Sequence, residues 1–80
     1  MKERILQLLS ETLPQIDFTA SDRLIDDGIL DSLSIMAIVS ELSLEFDVEF
    51  DLDLLQPENL NSIDAIVETV KQLQENKAAG

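Results

Sequence analysis

The 80-residue sequence contains no cysteine, histidine, tryptophan or tyrosine, and only two glycines and two prolines. Without cysteine it has no disulfide, no thiolate nucleophile and no cysteine-bound zinc. Without histidine it lacks the commonest general base and metal ligand. Its apolar runs are far shorter than the roughly 20 residues that span a bilayer, and its N-terminal residues do not open a secretory signal peptide. We therefore expect a soluble, cytoplasmic chain that lacks most catalytic constellations.

Basic residues are scarce as well: 5 Lys and Arg stand against 17 Asp and Glu, which gives a net charge of −12. All five bases lie outside residues 24–70, whereas twelve of the acids lie within that range. Such a surface repels nucleic-acid phosphate and anionic lipid and attracts partners that present Lys and Arg. We expect basic protein partners, no nucleic acid and no direct membrane insertion. The charge could equally serve solubility alone.

Hydrophobic residues make up 45% of the chain, enough for one small domain. Their spacing predicts an all-α fold, a small four-helix bundle with three main helices and a short third one. The predicted helices cover residues 2–13, a segment that starts after the N-cap Asp31, residues 57–60, and a segment from a cap at Asn61 or Ser62 to about Gln74. We expect residues 1–75 to form the domain and residues 76–80 a frayed tail.

Two connecting segments need separate interpretation. Residues 14–31 show no sustained period and form a long loop between the first two helices, which scattered apolar side chains should pin to the core. Residues 47–54 alternate acidic and apolar side chains as a half-buried strand does, but no second segment could pair with them. We predict an extended connection that buries Val48, Phe50 and either Leu52 or Leu54.

The second helix is apolar on more than one side. At 100° per residue, Ile35, Val39, Leu42 and Phe46 share the face predicted to be buried, with Ile38 on its flank. The opposite side, where a surface helix would be charged, holds mainly apolar and small side chains: Leu33, Met36, Ala37, Ser40 and Leu44. This side is either a docking surface or is covered by a neighbouring segment.

The many carboxylates do not form a recognisable catalytic or metal site. A catalytic carboxyl needs a cleft that shifts its pKa, and a helical domain of this size has little room for one. Asp26-Asp27-Gly28 resembles part of a calcium-binding EF-hand loop, but that register places Arg23 and Ser34 where carboxylates are required. We predict no catalytic residues and no metal site.

Ser32 stands out because it directly follows the capping Asp31 and should lie at the exposed first turn of the second helix. Unpaired amides and the helix dipole make that position favourable for a phosphate group. With no His or Cys to activate it, Ser32 is better interpreted as an acceptor of a group than as a triad nucleophile. The alternative is that Ser32 simply helps to cap the helix.

The run Asp26-Asp27-Gly28-Ile29-Leu30-Asp31-Ser32-Leu33, followed by Glu41-Leu42 and Glu45-Phe46-Asp47, resembles the acyl and peptidyl carrier protein family. The resemblance covers nearly the whole chain. It implies that a phosphopantetheinyl transferase attaches 4′-phosphopantetheine covalently to Ser32. The thiol of that group would hold an acyl or aminoacyl thioester, while the protein itself would be a non-catalytic carrier.

The resemblance also implies partners: the transferase, an acyl- or aminoacyl-loading ligase, and a downstream transferase or synthase with basic and apolar docking patches. Fatty-acid carriers usually have an acid two residues after the modified serine and another along the helix, where this chain has Ser34 and Ala37. We therefore expect a monomer whose partner contacts are Asp31, Leu33, Met36, Ala37, Ser40 and Leu44. Residues 57–63 are similar to free-standing aminoacyl carriers, including D-alanyl carriers.

Two other hypotheses remain open at this point. The chain could be an acidic helical interaction module that binds a basic protein without any prosthetic group. It could also mimic nucleic acid and occupy basic grooves.

Overall fold

The computed structural model describes the backbone of residues 1–79 and the side-chain surroundings of residues 1–77. It contains four helices and one 3₁₀ turn: α1 (Lys2–Thr12), α2 (Ser32–Phe46), the 3₁₀ turn (Leu52–Leu54), α3 (Pro57–Leu60) and α4 (Ile63–Ala79). Residues 1–79 form no strand. The predicted all-α bundle, with a short third helix and a long loop before α2, is confirmed.

The core lies where α1, α2 and α3 pack against α4. Ile5 and Leu9 of α1 are fully buried because their spacing of four residues puts them on one face of the helix. The apolar stripe of α4 is buried at Ile63, Ile66, Val67 and Val70. Ser62 caps the N-terminus of α4, since its hydroxyl oxygen accepts a hydrogen bond of 3.0 Å from the amide of Ala65.

The buried face of α2 differs from the prediction. Ile38 and Leu42 are buried, whereas Ile35, Val39 and Phe46 are only half-buried. The centre of the buried face therefore passes through Ile38, which had been placed on the flank. Apolar side chains on several sides of α2 leave its orientation poorly fixed by periodicity, so packing against α1 and α4 selects the buried face.

The connection between α2 and α3 is partly extended, but it ends in the 3₁₀ turn. Val48 is buried, and Phe50 and Leu54 are half-buried. Leu52 is 83% exposed, so of the two alternatives Leu54 takes the inner position. A turn with three residues per repeat ends the strand-like alternation that would have put residues 52 and 54 on the same side.

Helix α4 continues to Ala79, beyond the predicted end near Gln74. Residues 76–79 are assigned to this helix, Gly80 lies outside the described residues, and the fraying of the tail stays a prediction. The ammonium of Lys77 donates a hydrogen bond of 2.7 Å to the carbonyl of Asp47 and pairs with its carboxylate. This contact ties the last turns of α4 to the end of α2. Among the described residues, no helix is both long enough and apolar enough to cross a membrane.

Candidate functional site

The loop that leads to Ser32 is packed onto the bundle at three points. Phe18, Leu24 and Leu30 are 2%, 0% and 3% exposed, respectively. The expectation that apolar side chains pin this segment is confirmed. Because Leu30 is buried only two residues before Ser32, the start of α2 has a fixed anchor on its N-terminal side.

Between Leu24 and Leu30 the chain forms a compact turn. The amide of Gly28 donates to the carbonyl of Ile25 over 3.0 Å, and the amide of Leu30 donates to the carbonyl of Leu24 over 2.9 Å. Gly28 has a φ of +76°, a left-handed conformation that other residues adopt only with strain. There is open space where a Cβ would lie, so the backbone angle, rather than crowding, explains glycine here.

Asn61, at the junction of α3 and α4, binds this turn from the other side of the fold. Its Oδ1 accepts hydrogen bonds from the amides of Ile25 and Asp26 over 2.9 and 3.2 Å. Its Nδ2 donates to the carboxylate of Asp26 over 3.0 Å, and its carbonyl accepts from the amide of Leu24 over 2.7 Å. The sequence predicted Asn61 only as a helix cap, because the residues around it give no sign of a contact with a loop 35 residues away.

Asp31 caps α2 as predicted. It has extended backbone angles, and its Oδ1 accepts a hydrogen bond of 2.8 Å from the amide of Ser34. The Ser34 amide and then the Ser34 hydroxyl favour the ionised carboxylate, which lowers the pKa of Asp31 below its usual 3.8. The cap is therefore negatively charged at neutral pH and fixes the direction in which α2 begins.

Ser32 is the first residue of α2 and is exposed. The first intrahelical hydrogen bond runs from the amide of Ile35 to the carbonyl of Asp31 over 2.9 Å. The amides of Ser32 and Leu33 precede that bond, so they have no acceptor within the helix. The hydroxyl thus lies where an enzyme can reach it and where backbone dipoles favour an anion.

The outer face of α2 next to Ser32 is largely open. Leu33, Met36 and Leu44 are 82%, 58% and 80% exposed, and Ser40 is exposed as well. Ala37 is half-buried and lies at the edge of this face. Together with Asp31, these five side chains form one surface, here called the α2 outer face, and only Asp31 in it is charged.

Three of the five basic residues form ion pairs with acids of residues 24–70 that lie far away in sequence. Lys2 pairs with Asp64 over 2.8 Å, Arg4 with Glu45, and Lys77 with Asp47. The guanidinium of Arg4 also lies 5.8 Å from the ring centre of Phe46. Two of these pairs hold the C-terminal end of α2. The part of the helix without ion pairs is therefore the apolar N-terminal part, which begins with Ser32.

The Asp31-Ser32-Leu33 motif lies within a region of the chain that matches a known protein family. Residues 3–70 match the family model described as "Phosphopantetheine attachment site". The chain belongs to the acyl and peptidyl carrier protein family. This carrier protein thus comes from a family whose domains bind 4′-phosphopantetheine covalently, interact with phosphopantetheinyl transferases and partner enzymes, and are themselves non-catalytic. Neither the curated proteins nor the solved structures gave a significant match to the chain.

The residues around Ser32 fit that prosthetic group. A covalent arm needs a hydroxyl that is open to solvent and a setting that tolerates a phosphodiester, and the exposed first turn of α2 provides both. When bound, the group supplies the thiol that this cysteine-free chain lacks. The chain's own contribution is an exposed serine hydroxyl at a capped helix end.

Proposed function

We propose that this carrier protein bears its phosphopantetheine on Ser32, carries an acyl or aminoacyl group as a thioester, and delivers that group to partner enzymes. One observation carries the proposal: Ser32 is the exposed first residue of α2, within Asp31-Ser32-Leu33 and within the region that matches the family. Other serines of α2 are less suitable. Ser34 is half-buried, and its amide donates to the capping carboxylate of Asp31. Ser40 is exposed but lies in the middle of α2, away from the amides of the first turn.

Attachment would proceed by phosphoryl transfer from coenzyme A. The bond between Ser32 Oγ and phosphorus forms, and the pyrophosphate bond of coenzyme A breaks. Adenosine bisphosphate leaves, and the hydroxyl proton passes to a base of the transferase. The chain offers no His or Cys as this base, and the neighbouring Asp31 is a weak one because its carboxylate accepts the Ser34 amide, which lowers its pKa. We therefore assign the base to the transferase.

Partner enzymes would dock on the α2 outer face. Its exposed leucine and methionine side chains offer apolar contact area, and the net charge of −12 steers the chain toward basic surfaces. The scarcity of charged side chains on this face predicts that apolar contacts contribute more to the bound complex than ion pairs do. We expect the carrier to act as a monomer, because a dimer through this face would block partners.

The mass of the intact protein after incubation with coenzyme A and a broad-specificity phosphopantetheinyl transferase tests the attachment site. Wild-type protein should gain the mass of one phosphopantetheine, and Ser32→Ala should gain none. Ser34→Ala and Ser40→Ala are matched controls on the same helix, and both should be modified at the wild-type level. If folded wild-type protein gains no mass, the chain is better explained as an acidic interaction module without a prosthetic group.

Two equally exposed leucines allow a separate test of the docking face. Leu44 is 80% exposed on α2, whereas Leu52 is 83% exposed on the 3₁₀ turn. Leu44→Ala should raise the KM of the transferase for the apo protein by roughly 3- to 10-fold, since truncating an apolar contact at an interface costs about 1 kcal/mol or somewhat more. Leu52→Ala should leave the KM within twofold. Equal effects of the two substitutions would remove α2 as the preferred docking face.

A further inference from the structure

The loop before Ser32 is held to the rest of the fold by one side chain that comes from a distant part of the chain. Asn61 accepts the amides of Ile25 and Asp26 through its Oδ1, and its carbonyl accepts the amide of Leu24. One residue thus binds three consecutive loop amides. Asn61 is half-buried, so water can replace these contacts only in part.

From Asn61, a short chain of contacts leads to the attachment point. Leu24, which donates to Asn61, also accepts the amide of Leu30 over 2.9 Å. Leu30 is 3% exposed and is followed directly by the capping Asp31 and then by Ser32. No other part of the loop is tied to α3 or α4 by as many hydrogen bonds in the described residues.

We infer that Asn61 is a positioning residue for the modification of Ser32. It acts through the turn at residues 24–30 and keeps the start of α2 in the conformation that the transferase binds. This inference rests on the proposed attachment at Ser32. Asn61 does not touch the reacting hydroxyl, so its loss lowers the fraction of binding-competent molecules and leaves the chemical step unchanged. The KM for the apo protein then rises in inverse proportion to that fraction, and kcat stays constant.

The matched pair for the experiment is Asn61→Ala and Asn59→Ala. Asn59 is also half-buried, and its Nδ2 donates to the carbonyl of Leu54 over 3.1 Å, in the connection between α2 and α3 rather than in the loop before Ser32. Asn61→Ala should raise the KM of the transferase about tenfold and should speed hydrogen exchange at the amides of Ile25 and Asp26 by a similar factor. Asn59→Ala should lower the melting temperature but should leave both quantities within twofold of the wild-type values.

A reciprocal exchange provides the rescue. Asn61→Asp keeps the acceptor for the two loop amides but places a second carboxylate against Asp26, in place of the 3.0 Å hydrogen bond. The KM should therefore rise. Adding Asp26→Asn restores a donor opposite an acceptor, with the net charge unchanged, and should return the KM to within about twofold of the wild-type value.

The outcomes separate the two proposals. Hydrogen exchange on the apo protein reports the hold of Asn61 on the loop whether or not Ser32 is modified, and mass gain on wild-type protein reports the attachment alone. If Asn61→Ala speeds exchange but leaves the KM unchanged, or if Asn59→Ala raises the KM equally, the positioning role is overturned while the attachment site stands. If wild-type protein gains no mass, the attachment itself fails.

Discussion

Helices α2 and α4 are of similar length, 15 and 17 residues, but α4 buries more side chains than α2 does. Helix α4 buries four apolar side chains and Thr69, whose hydroxyl donates to the carbonyl of Ala65 over 2.9 Å. Helix α2 buries only Ile38 and Leu42 and leaves three large apolar side chains exposed. The helix that holds the bundle together is thus separate from the helix that bears the proposed attachment site.

The separation has a physical reason. Helix α4 contacts each of the other helices, so its apolar face is covered. Helix α2 contacts α1 and α4, and is held at its C-terminal end by Arg4 and Lys77. Its outer face can therefore keep large apolar side chains exposed while the core of the bundle stays intact. Four predictions test this division.

The largest expected difference is between the core of α4 and the outer face of α2. Ile66 is 0% exposed, and Ile66→Ala should lower the free energy of unfolding by about 2–5 kcal/mol, because it removes buried methyl groups and leaves a cavity. Leu44→Ala, on the exposed side of α2, should change it by less than about 0.5 kcal/mol. Urea unfolding of the apo proteins measures both. If Ile66→Ala does not fold, Ile66→Val should still cost about 0.5–1.5 kcal/mol. Equal costs for Ile66→Ala and Leu44→Ala would contradict the division.

The Ser62 cap should stabilise the folded protein, whereas an exposed serine inside a helix should not. Ser62→Ala removes the hydroxyl that accepts the amide of Ala65, and should cost about 1 kcal/mol in urea unfolding. Ser10→Ala is the control, since Ser10 lies inside α1 and is exposed. It should be neutral or slightly stabilising because alanine is the better helix former. A loss after Ser10→Ala as large as the loss after Ser62→Ala would show that the cap of α4 has no special role.

The ion pair that joins the ends of α2 and α4 should contribute little. Lys77 and Asp47 are 54% and 90% exposed, so Lys77→Gln should cost about 0.2–1 kcal/mol. Lys71→Gln is the matched control, because it removes the same charge from an exposed position of α4. Sodium chloride should shrink the difference between the two variants, and should raise the melting temperature of all three proteins by screening their net negative charge. A difference that persists in high salt would mean that Lys77 stabilises mainly by packing.

The smallest effect should appear in the pH dependence of the α2 cap. The pKa of Asp31 is lowered below 3.8 in the folded protein, so the stabilisation by its charge is fully present above 3.8 and is lost as the pH falls through the lowered value. Asn is also a good N-cap but does not titrate. The melting temperature of wild-type protein should exceed that of Asp31→Asn near neutral pH, and the two should converge below pH 3.8. A constant difference over this range would exclude the charge as its cause.

Local signals proved sufficient for the start of α2 and for the short helix α3. An aspartate before an apolar helix predicted the cap, and Pro57 predicted the first position of α3, because both effects act within a few residues of the signal. The exposure of Ser32 followed from its place after the cap, and that of Leu33, Met36 and Leu44 followed from the helical period. The family and the prosthetic group were anticipated from the motif around Ser32, and the match over residues 3–70 confirms them.

Contacts between distant segments were not predictable in the same way. Leu52 was a candidate for the core but is exposed, and α4 was expected to stop before Lys77 but continues past it. The role of Asn61 has the same origin, since its hydrogen bonds reach residues 24–26. Each of these features depends on which side chains meet across the bundle, and the sequence near each residue holds no signal of that meeting.

The sequence alone determined that the chain is helical, acidic and unable to supply its own nucleophilic thiol, because composition and short-range periodicity fix these properties. It also determined that Ser32 follows a helix cap. Only the tertiary structure decided which face of α2 is buried, which acids of residues 24–70 pair with bases near the chain ends, and that Asn61 holds the loop before Ser32. Those features arise from packing and hydrogen bonds between residues far apart in sequence, whose energies exist only once the chain has folded.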